Sequence, residues 1–545
     1  SSRRRHTRLL TQSRGLGDVY KRQTHAPHHV PKKWIEKFDG EFEEGWDKMR
    51  EEILARQITS GVVPEGTKLT EKPKAIPNWD DLTEDEKTLF KHQAEVFGAY
   101  IHMTDFEVGR VVSAIEEMGE LENTLIFFVY GDNGTSAEGG RNGMFSEMTY
   151  FNGVQEKVED MLKNIDKWGG PETYPHMAGG WAVMFDTPYK WTKQVASDYG
   201  GTKVGMAVHW PKGIKAKGEL RGQFHHVIDV APTILEAAGL PEPVEVNGIK
   251  QVPMNGVSML YSFDDATAAE QHHTQYFEMF GNRAIYQDNW LARTIHKAPW
   301  EREARRPFAE DIWELYNIEE DFSLTNDLSE EHPEKLKELQ DLFMSEGEKY
   351  HVLPLDDRVF LRLIAEQVGR PDIMGGRSTL TLAEGMTGMG EYTFINIKNK
   401  SKTITAEVEV PADGGNGIIL AQGGRFGGWA LYVKDGKPAY DYNFVGLMRT
   451  TIASPKKLPA GKSTIRFEFD LDEGEGMGKG GNGTLYVNDE KVAEGRIEHT
   501  QAIIFSADET ADVGIDLATP VVETIGAEKE SKFTGRIPKV TVEVK

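Results

Sequence analysis

The 545-residue sequence contains no cysteine. Disulfides, thiolate metal ligands and a thiol nucleophile are therefore excluded from it, and any metal must be held by oxygen or imidazole donors. Long apolar runs are missing as well. Stretches such as Leu125 to Tyr130 fall far short of the roughly twenty residues that span a bilayer, so no membrane span is expected. Positive charge is in the minority, with 63 Lys and Arg against 87 Asp and Glu and a formal net charge of −24. Such a surface repels polyanions, which sets nucleic acid aside as a partner. What the chain does have is 39% hydrophobic and 10% aromatic residues, enough to build a sizeable core. Its length suggests about three or four domains of ordinary size, or two large ones.

The first 23 residues differ from the rest. Seven Lys and Arg stand against one acid, Asp18, a net charge of +6 that leaves −30 for the remaining 522 residues. Residues 1–23 resemble the translation of a sequencing adapter fused to a gene, and they are expected to be a non-native basic tail with no part in the fold. A genuine basic tail or a transit peptide is the alternative. On the adapter reading the natural N-terminal part is absent, and localisation, whether periplasmic, secreted or cytoplasmic, is left open.

From Thr24 to about Gly375 the pattern is mixed α/β. Thr83-Glu84-Asp85-Glu86 is a capping box that opens a long amphipathic helix, with Leu89, Val96, Tyr100, Val111 and Ile115 on its apolar side and an end near Gly119. Thr124 to Tyr130 is a continuous run of strand formers, the kind buried on both faces of a parallel sheet. A second strand-like run covers Val204 to Trp210. Pro232 and Gly239 bracket a short helix in the expected order, and Pro333 to Glu346 presents Leu336, Leu339, Leu342 and Phe343 on one side of another. Beyond Gly375-Gly376 the period changes from 3.6 to 2. Ile404, Ala406, Val408 and Val410 alternate with polar residues, as do Ile465, Phe467, Phe469 and Leu471, and then Val540, Val542 and Val544. The expected architecture is an α/β domain over 24–375, built on a mostly parallel sheet flanked by helices, followed by an all-β sandwich of jelly-roll or lectin-like type over 376–545.

Two clusters carry possible chemistry. Asp132-Asn133-Gly134 follows directly on the first strand run, where open α/β sheets bind ligands, and its carboxylate and amide oxygens suit a hard cation such as Ca²⁺ better than Zn²⁺. The same tripeptide is an ordinary turn. Thr24 to Pro31 places His25, His28 and His29 between prolines, either as a site or as a solvated loop.

The order His25-x-Pro27, strand then Asp132-Asn133-Gly134, Lys193 before Gly200-Gly201, IDVAPTILEAAG at Ile228 to Gly239, and WELYNIEEDFSLTNDLSE at Trp313 to Glu330 resembles the C-terminal two-thirds of the sulfatase family, arylsulfatases of the alkaline-phosphatase-like superfamily. The resemblance covers about Thr24 to Arg370. It implies a sulfuric-ester hydrolase in which Asp132 and Asn133 are two ligands of one Ca²⁺, His25 faces the leaving group and Lys193 binds a sulfate oxygen. His25 is preferred to His28 and His29 because Pro31 then keeps the family's spacing. Lys203 lies where the family usually has a structural arginine. The family's nucleophile is a formylglycine made from Cys or Ser in a C/S-x-P-x-R motif by a formylglycine-generating enzyme. Neither that motif nor two further aspartate ligands occur in this sequence. The chain as given is therefore expected to be inactive, and the substrate, an aryl sulfate or a sulfated carbohydrate, is left open. Two alternatives stand beside it. One is a phosphodiesterase or phosphonate hydrolase of the same superfamily, against which Asn133 argues because two-metal members generally carry His there. The other is a non-catalytic carbohydrate-binding protein in which Trp429, Tyr432 and Tyr440 would stack on sugar, although aromatics in a sandwich are usually core. Trp181 and Trp191 are candidates for either an aryl pocket or the core.

Overall fold

The computed structural model describes residues 25–301, 306–412 and 414–545. The basic tail at 1–23 and Thr24 lie outside the described residues.

After a single helical turn at Lys32–Ile35, the first unit continues with helix α1 (Gly45–Thr59) and the long helix α2 (Glu84–Glu117). The capping box forms as the sequence requires. The Thr83 hydroxyl accepts from Glu86 N at 3.2 Å, and the Glu86 carboxylate accepts from Thr83 N at 2.9 Å. Gly119, at φ +73°, ends the helix in the left-handed region. Leu89, Val96 and Tyr100 are buried against Trp46, Trp181 and Phe97, but Val111 and Phe106 are exposed. The apolar side of α2 is thus covered over its first half only.

Strand β1 (Ile126–Val129) pairs with β2 (Met206–His209), Ile126 opposite His209 and Val129 opposite Met206. This pairing is antiparallel, and it corrects the expected parallel sheet. Among the described residues every paired strand is antiparallel. A continuous apolar run reports burial, which strands of either direction can share, so it carries no information on direction. Nor is β1 fully covered: its four residues are half-buried, because among the described residues β2 is its sole partner and leaves one edge open.

Between these strands lie several short helices, among them α3 (Glu147–Phe151) and α4 (Gly179–Phe185). Past β2 comes α5 (Val230–Ala237), with Val227, Ile228 and Leu240 exposed around it. A four-stranded antiparallel sheet follows: β3 (Thr274–Met279), β4 (Asn282–Gln287), β5 (Trp290–Thr294) and β6 (Trp313–Asn317), in chain order. Helix α6 (Pro333–Lys349) covers it, as its periodicity predicts. Leu339 and Phe343 are fully buried against Ile285, Ala292 and Leu315, and each such side chain contributes on the order of 1.5–3 kcal/mol.

The second unit is a sandwich of two antiparallel sheets. The six-stranded sheet runs in the order β15 (Glu490–Ile497), β14 (Gly481–Val487), β13 (Gly461–Leu471), β8 (Lys402–Val410), β17 (Arg536–Val544), β7 (Thr379–Leu382). The five-stranded sheet runs β12 (Met448–Ala453), β11 (Lys437–Phe444), β10 (Gly427–Lys434), β9 (Gly417–Gly424), β16 (Ala511–Val513). Period-2 residues Ile404, Ala406, Val408, Ile465, Phe467, Val540 and Val542 form the inner face. Trp429 and Tyr440 are fully buried in the same core, Tyr440 stacked on Phe467 at 3.6 Å, and Tyr432 is 4% exposed. Trp429 and Tyr440 fill the interior, Tyr432 is buried in a separate cluster with Val521 and Val522, and none of the three presents a stacking surface to a sugar, in keeping with the usual core role of such aromatics.

The two units are bonded together beside α3. The Asn152 side chain accepts from Ala502 N and Ile503 N and donates to Ile504 O, and the Tyr174 hydroxyl donates to Asp508 at 2.5 Å.

Candidate active site

Three chain segments meet behind the end of β1. The Asp132-Asn133-Gly134 turn is fixed by its backbone: Gly134 N donates to Gly201 O at 2.9 Å, Thr135 N donates to the Asp186 carboxylate, and Lys193 N donates to Thr135 O at 3.1 Å. Gly134 has to be glycine, since a Cβ there would stand 1.6 Å from the Gly200 carbonyl oxygen. The close approach ties the turn to the Lys193 segment. The Gly200-Gly201 pair that the sequence singles out is the surface it rests on.

Past the turn, Glu138 is buried and acts as a hub. Its Oε2 accepts from Ser136 Oγ at 2.9 Å and from Lys193 Nζ at 2.9 Å, and lies 3.0 Å from His25 Nε2. Its Oε1 accepts from Gln194 Nε2 at 2.5 Å. Burial disfavours its charge, but the His25 hydrogen bond and the Lys193 ammonium outweigh burial and hold the carboxyl well below the usual carboxylate range.

His25 and Lys193, 168 residues apart, meet at this hub with Nε2 and Nζ 2.6 Å apart. His25 Nδ1 lies 3.1 Å from the Ala26 carbonyl oxygen, which can only accept, so Nδ1 carries a proton. Nε2 is then the atom that gains and loses one. Neutral, it accepts from Lys193; protonated, it donates to Glu138. Burial pulls the imidazole pKa down, yet the Glu138 hydrogen bond and the Glu147 charge more than reverse this, and it is raised. At 30% side-chain exposure, His25 reaches the surface where the cluster's carboxylates do not.

The other two histidines are placed differently. His28 is 1% exposed, packed on Phe97 and His176, and burial holds its pKa far below the ordinary value, so it stays neutral. His29 donates from Nε2 to Thr173 O at 2.5 Å. Of the tryptophans, Trp181 is fully buried and donates to Phe90 O, a core residue. Trp191 is half-buried and stacks on Trp300 at 6.0 Å beside Lys193. Lys203 lays its ammonium 3.9 Å from the Phe322 ring centroid, and burial lowers its pKa to about 8. That is a packing role.

Asp132 is exposed at the mouth of the same loop, and Asn133 Nδ2 donates to Asp132 Oδ1 at 2.8 Å, leaving the amide oxygen unengaged by that bond. Five further residues belong to the cluster and escaped the sequence: Glu138, Ser136, His176, Gln194 and Glu147. Ser136 links Glu138 to His176, whose Nε2 lies 2.9 Å from the serine hydroxyl. Glu147 opens α3, with Oε1 3.9 Å from His25 Nε2. In sequence, Glu138 sits in a Gly-rich stretch that looks like a turn, and Glu147 looks like a helix first-turn acid favoured by the dipole.

Residues 19–240 match the family model named Sulfatase. This part of the chain is similar to the sulfatase family, and a domain of antiparallel strands follows it. Among curated relatives, the chain is 28% identical over 350 residues to an uncharacterised sulfatase of Schizosaccharomyces pombe, covering 63% of this chain and 59% of that protein. It is 25% identical over 235 residues to an arylsulfatase of Klebsiella aerogenes, covering 43% and 48%. The chain thus spans about half the length of the curated relatives it matches. A solved structure described under the metabolism of multiple glycosaminoglycans by Bacteroides thetaiotaomicron is similar at 18% identity and a TM-score of 0.31, over 46% of this chain and 44% of that one. No helix among the described residues is long and apolar enough to cross a membrane.

Proposed function

We propose that this chain belongs to a sulfuric-ester hydrolase of arylsulfatase type, acting on an aryl sulfate or a sulfated carbohydrate. The observation that carries the proposal is the convergence of His25 and Lys193 on buried Glu138, one backbone hydrogen bond away from the Asp132-Asn133 turn. In this reading the Lys193 ammonium neutralises a sulfuryl oxygen and His25 Nε2 gives its proton to the departing oxygen, while Glu138 aims both groups. The match of residues 19–240 to the sulfatase family model supports the reaction class.

Asp132 and Asn133 offer only oxygen donors, one of them anionic, and both stand at an open loop mouth. That donor set fits part of a Ca²⁺ shell, which takes six to eight oxygens. Bound there, the ion would add positive charge against the sulfuryl group. The formylglycine motif has no counterpart in the sequence. In this proposal the nucleophile and the remaining metal ligands belong to a preceding segment, matured by a formylglycine-generating enzyme, and the chain by itself does not turn over.

The test is made on the protein extended by that segment. Leaving-group dependence of kcat/KM across a series of aryl and alkyl sulfates separates the two roles. His25→Ala should steepen the dependence, because a poor leaving group needs the proton most, whereas Lys193→Ala should lower all substrates by a similar factor of about 10² or more. An unchanged slope in both variants, with full activity, refutes the assignment. Turnover by the present chain alone refutes the need for a further segment.

A further inference from the structure

Glu147 has no part in the chemistry described so far, yet it is among the most confined charges in the molecule. Its side chain is 3% exposed, and its Oε1 has no hydrogen-bond partner among the described residues. A buried carboxylate left unpaired is costly, so such a group either pairs with a cation or takes up a proton. The groups around it decide between these. Lys193 is committed to Glu138, 2.9 Å from its Oε2. Glu138 and, from the β-sandwich, Asp508 are negative and oppose a second charge; His176 is neutral, with burial pulling its pKa down to about 3. Glu156 is engaged with Phe145 N and Ser146 N, capping the backbone just before Glu147. What remains is His25, whose Nε2 is 3.9 Å from Oε1.

We infer that Glu147 is a positioning residue that acts through His25: its buried carboxyl and the imidazole hold one proton between them, and this keeps Nε2 supplied with a proton to donate. The inference rests on the reading of His25 as the acid. The proton balance is simple. When imidazolium gives its Nε2 proton to the leaving oxygen, the ring becomes neutral and the Glu147 carboxylate loses its cation. One proton from water, entering through the part-exposed His25 edge, restores the pair, either as imidazolium and carboxylate or as imidazole and carboxylic acid. Burial, the largest influence, raises the Glu147 pKa to about 7 although His25 lowers it, while His25 itself is raised above its ordinary value. The two groups therefore compete for a proton and titrate as a pair rather than singly.

The experiment follows the ring nitrogens of His25 by NMR in the chain as it stands, from about pH 4 to 9, with His25→Gln assigning the signal. Wild type should show a broadened, two-step titration with a raised midpoint. Glu147→Gln should convert it to a single step and lower the midpoint, with proton affinity falling by about tenfold, one pKa unit; Glu147→Asp should restore part of it. If Glu147→Gln does not fold, the reciprocal measurement serves: the Glu147 carboxyl carbon, followed in His25→Gln, should titrate at higher pH than in wild type because its cation is gone. An unchanged His25 midpoint in Glu147→Gln, or an unchanged Glu147 midpoint in His25→Gln, overturns the inference. So does saturable Zn²⁺ binding that removes the His25 titration at stoichiometric metal, since His25, Glu138 and Glu147 would then be ligands. None of these measurements requires sulfate-ester turnover. Failure of the hydrolase proposal and failure of this one are therefore told apart.

Discussion

Glu138 allows a prediction whose size can be worked from the structure. Substituting Gln keeps the shape but removes the charge that Lys193 and His25 share, leaving a 17% exposed ammonium without its carboxylate. Breaking a buried ion pair by removing one partner costs about 3–5 kcal/mol when the remaining charge is fully buried. Lys193 retains some solvent and Gln can still accept from it, so Glu138→Gln should destabilise the α/β unit by roughly 2–3 kcal/mol. Denaturant unfolding followed through the tryptophans packed there, Trp46, Trp79 and Trp181, gives the number. The double variant with Lys193→Met should recover most of the loss, because neither charge then remains. The pH dependence follows from the direction of the shift. The folded carboxyl is held below its ordinary value of 4.5, so its stabilisation is fully present above that value and is lost as pH falls toward the folded pKa. The wild-type advantage over Glu138→Gln should be flat from neutrality down to about pH 5 and shrink below it. A loss under about 0.5 kcal/mol, or strictly additive effects of the two substitutions, would refute the hub.

Three further outcomes test other parts of the structure. Gly134→Ala should push the Asp132-Asn133 turn off Gly200 and cost about 1–3 kcal/mol, the usual price of overpacking, in thermal unfolding of the α/β unit. Trp429→Ala should destabilise the sandwich by about 3–5 kcal/mol as a core cavity, with denaturant unfolding as the readout and no dependence on added sugar. In the extended protein Asp132→Ala should abolish Ca²⁺ binding by calorimetry; retention of wild-type affinity would reduce the tripeptide to a turn.

The parts of this molecule that sequence makes legible are those set by local rules. The capping box, the left-handed Gly119, the period-2 faces of β8, β13 and β17 and the apolar side of α6 each depend on residues within a few positions of one another, and each has the predicted form. Strand direction was not legible. Whether β1 meets a parallel or an antiparallel neighbour is decided about eighty residues downstream, where Met206 to His209 returns against it, and apolar composition is blind to that. Nor was the four-stranded sheet of β3 to β6 foreseen, although WELYN had been singled out as a motif, because its strands mix buried and half-buried positions without clean alternation. For the sandwich aromatics the ordinary core reading holds: a two-layer β core needs large inward side chains such as Trp429 and Tyr440 between its sheets, and Tyr432 is buried in a separate cluster with Val521 and Val522.

The same distinction governs the candidate site. His25 and Lys193 could be picked out because a motif order marks them, whereas Glu138 and Glu147 could not, since an acid in a Gly-rich turn or in a helix's first turn has an ordinary explanation at its own position. What makes them unusual is non-local: both are buried, both face the same imidazole, and only one has a lysine. Two buried carboxylates against one ammonium leave a negative surplus that the protein must balance with a proton. The imidazole between them is the group able to carry it near neutral pH. A motif search finds the histidine; the burial of its two acidic neighbours explains why it can stay protonated in a pocket that would otherwise strip it.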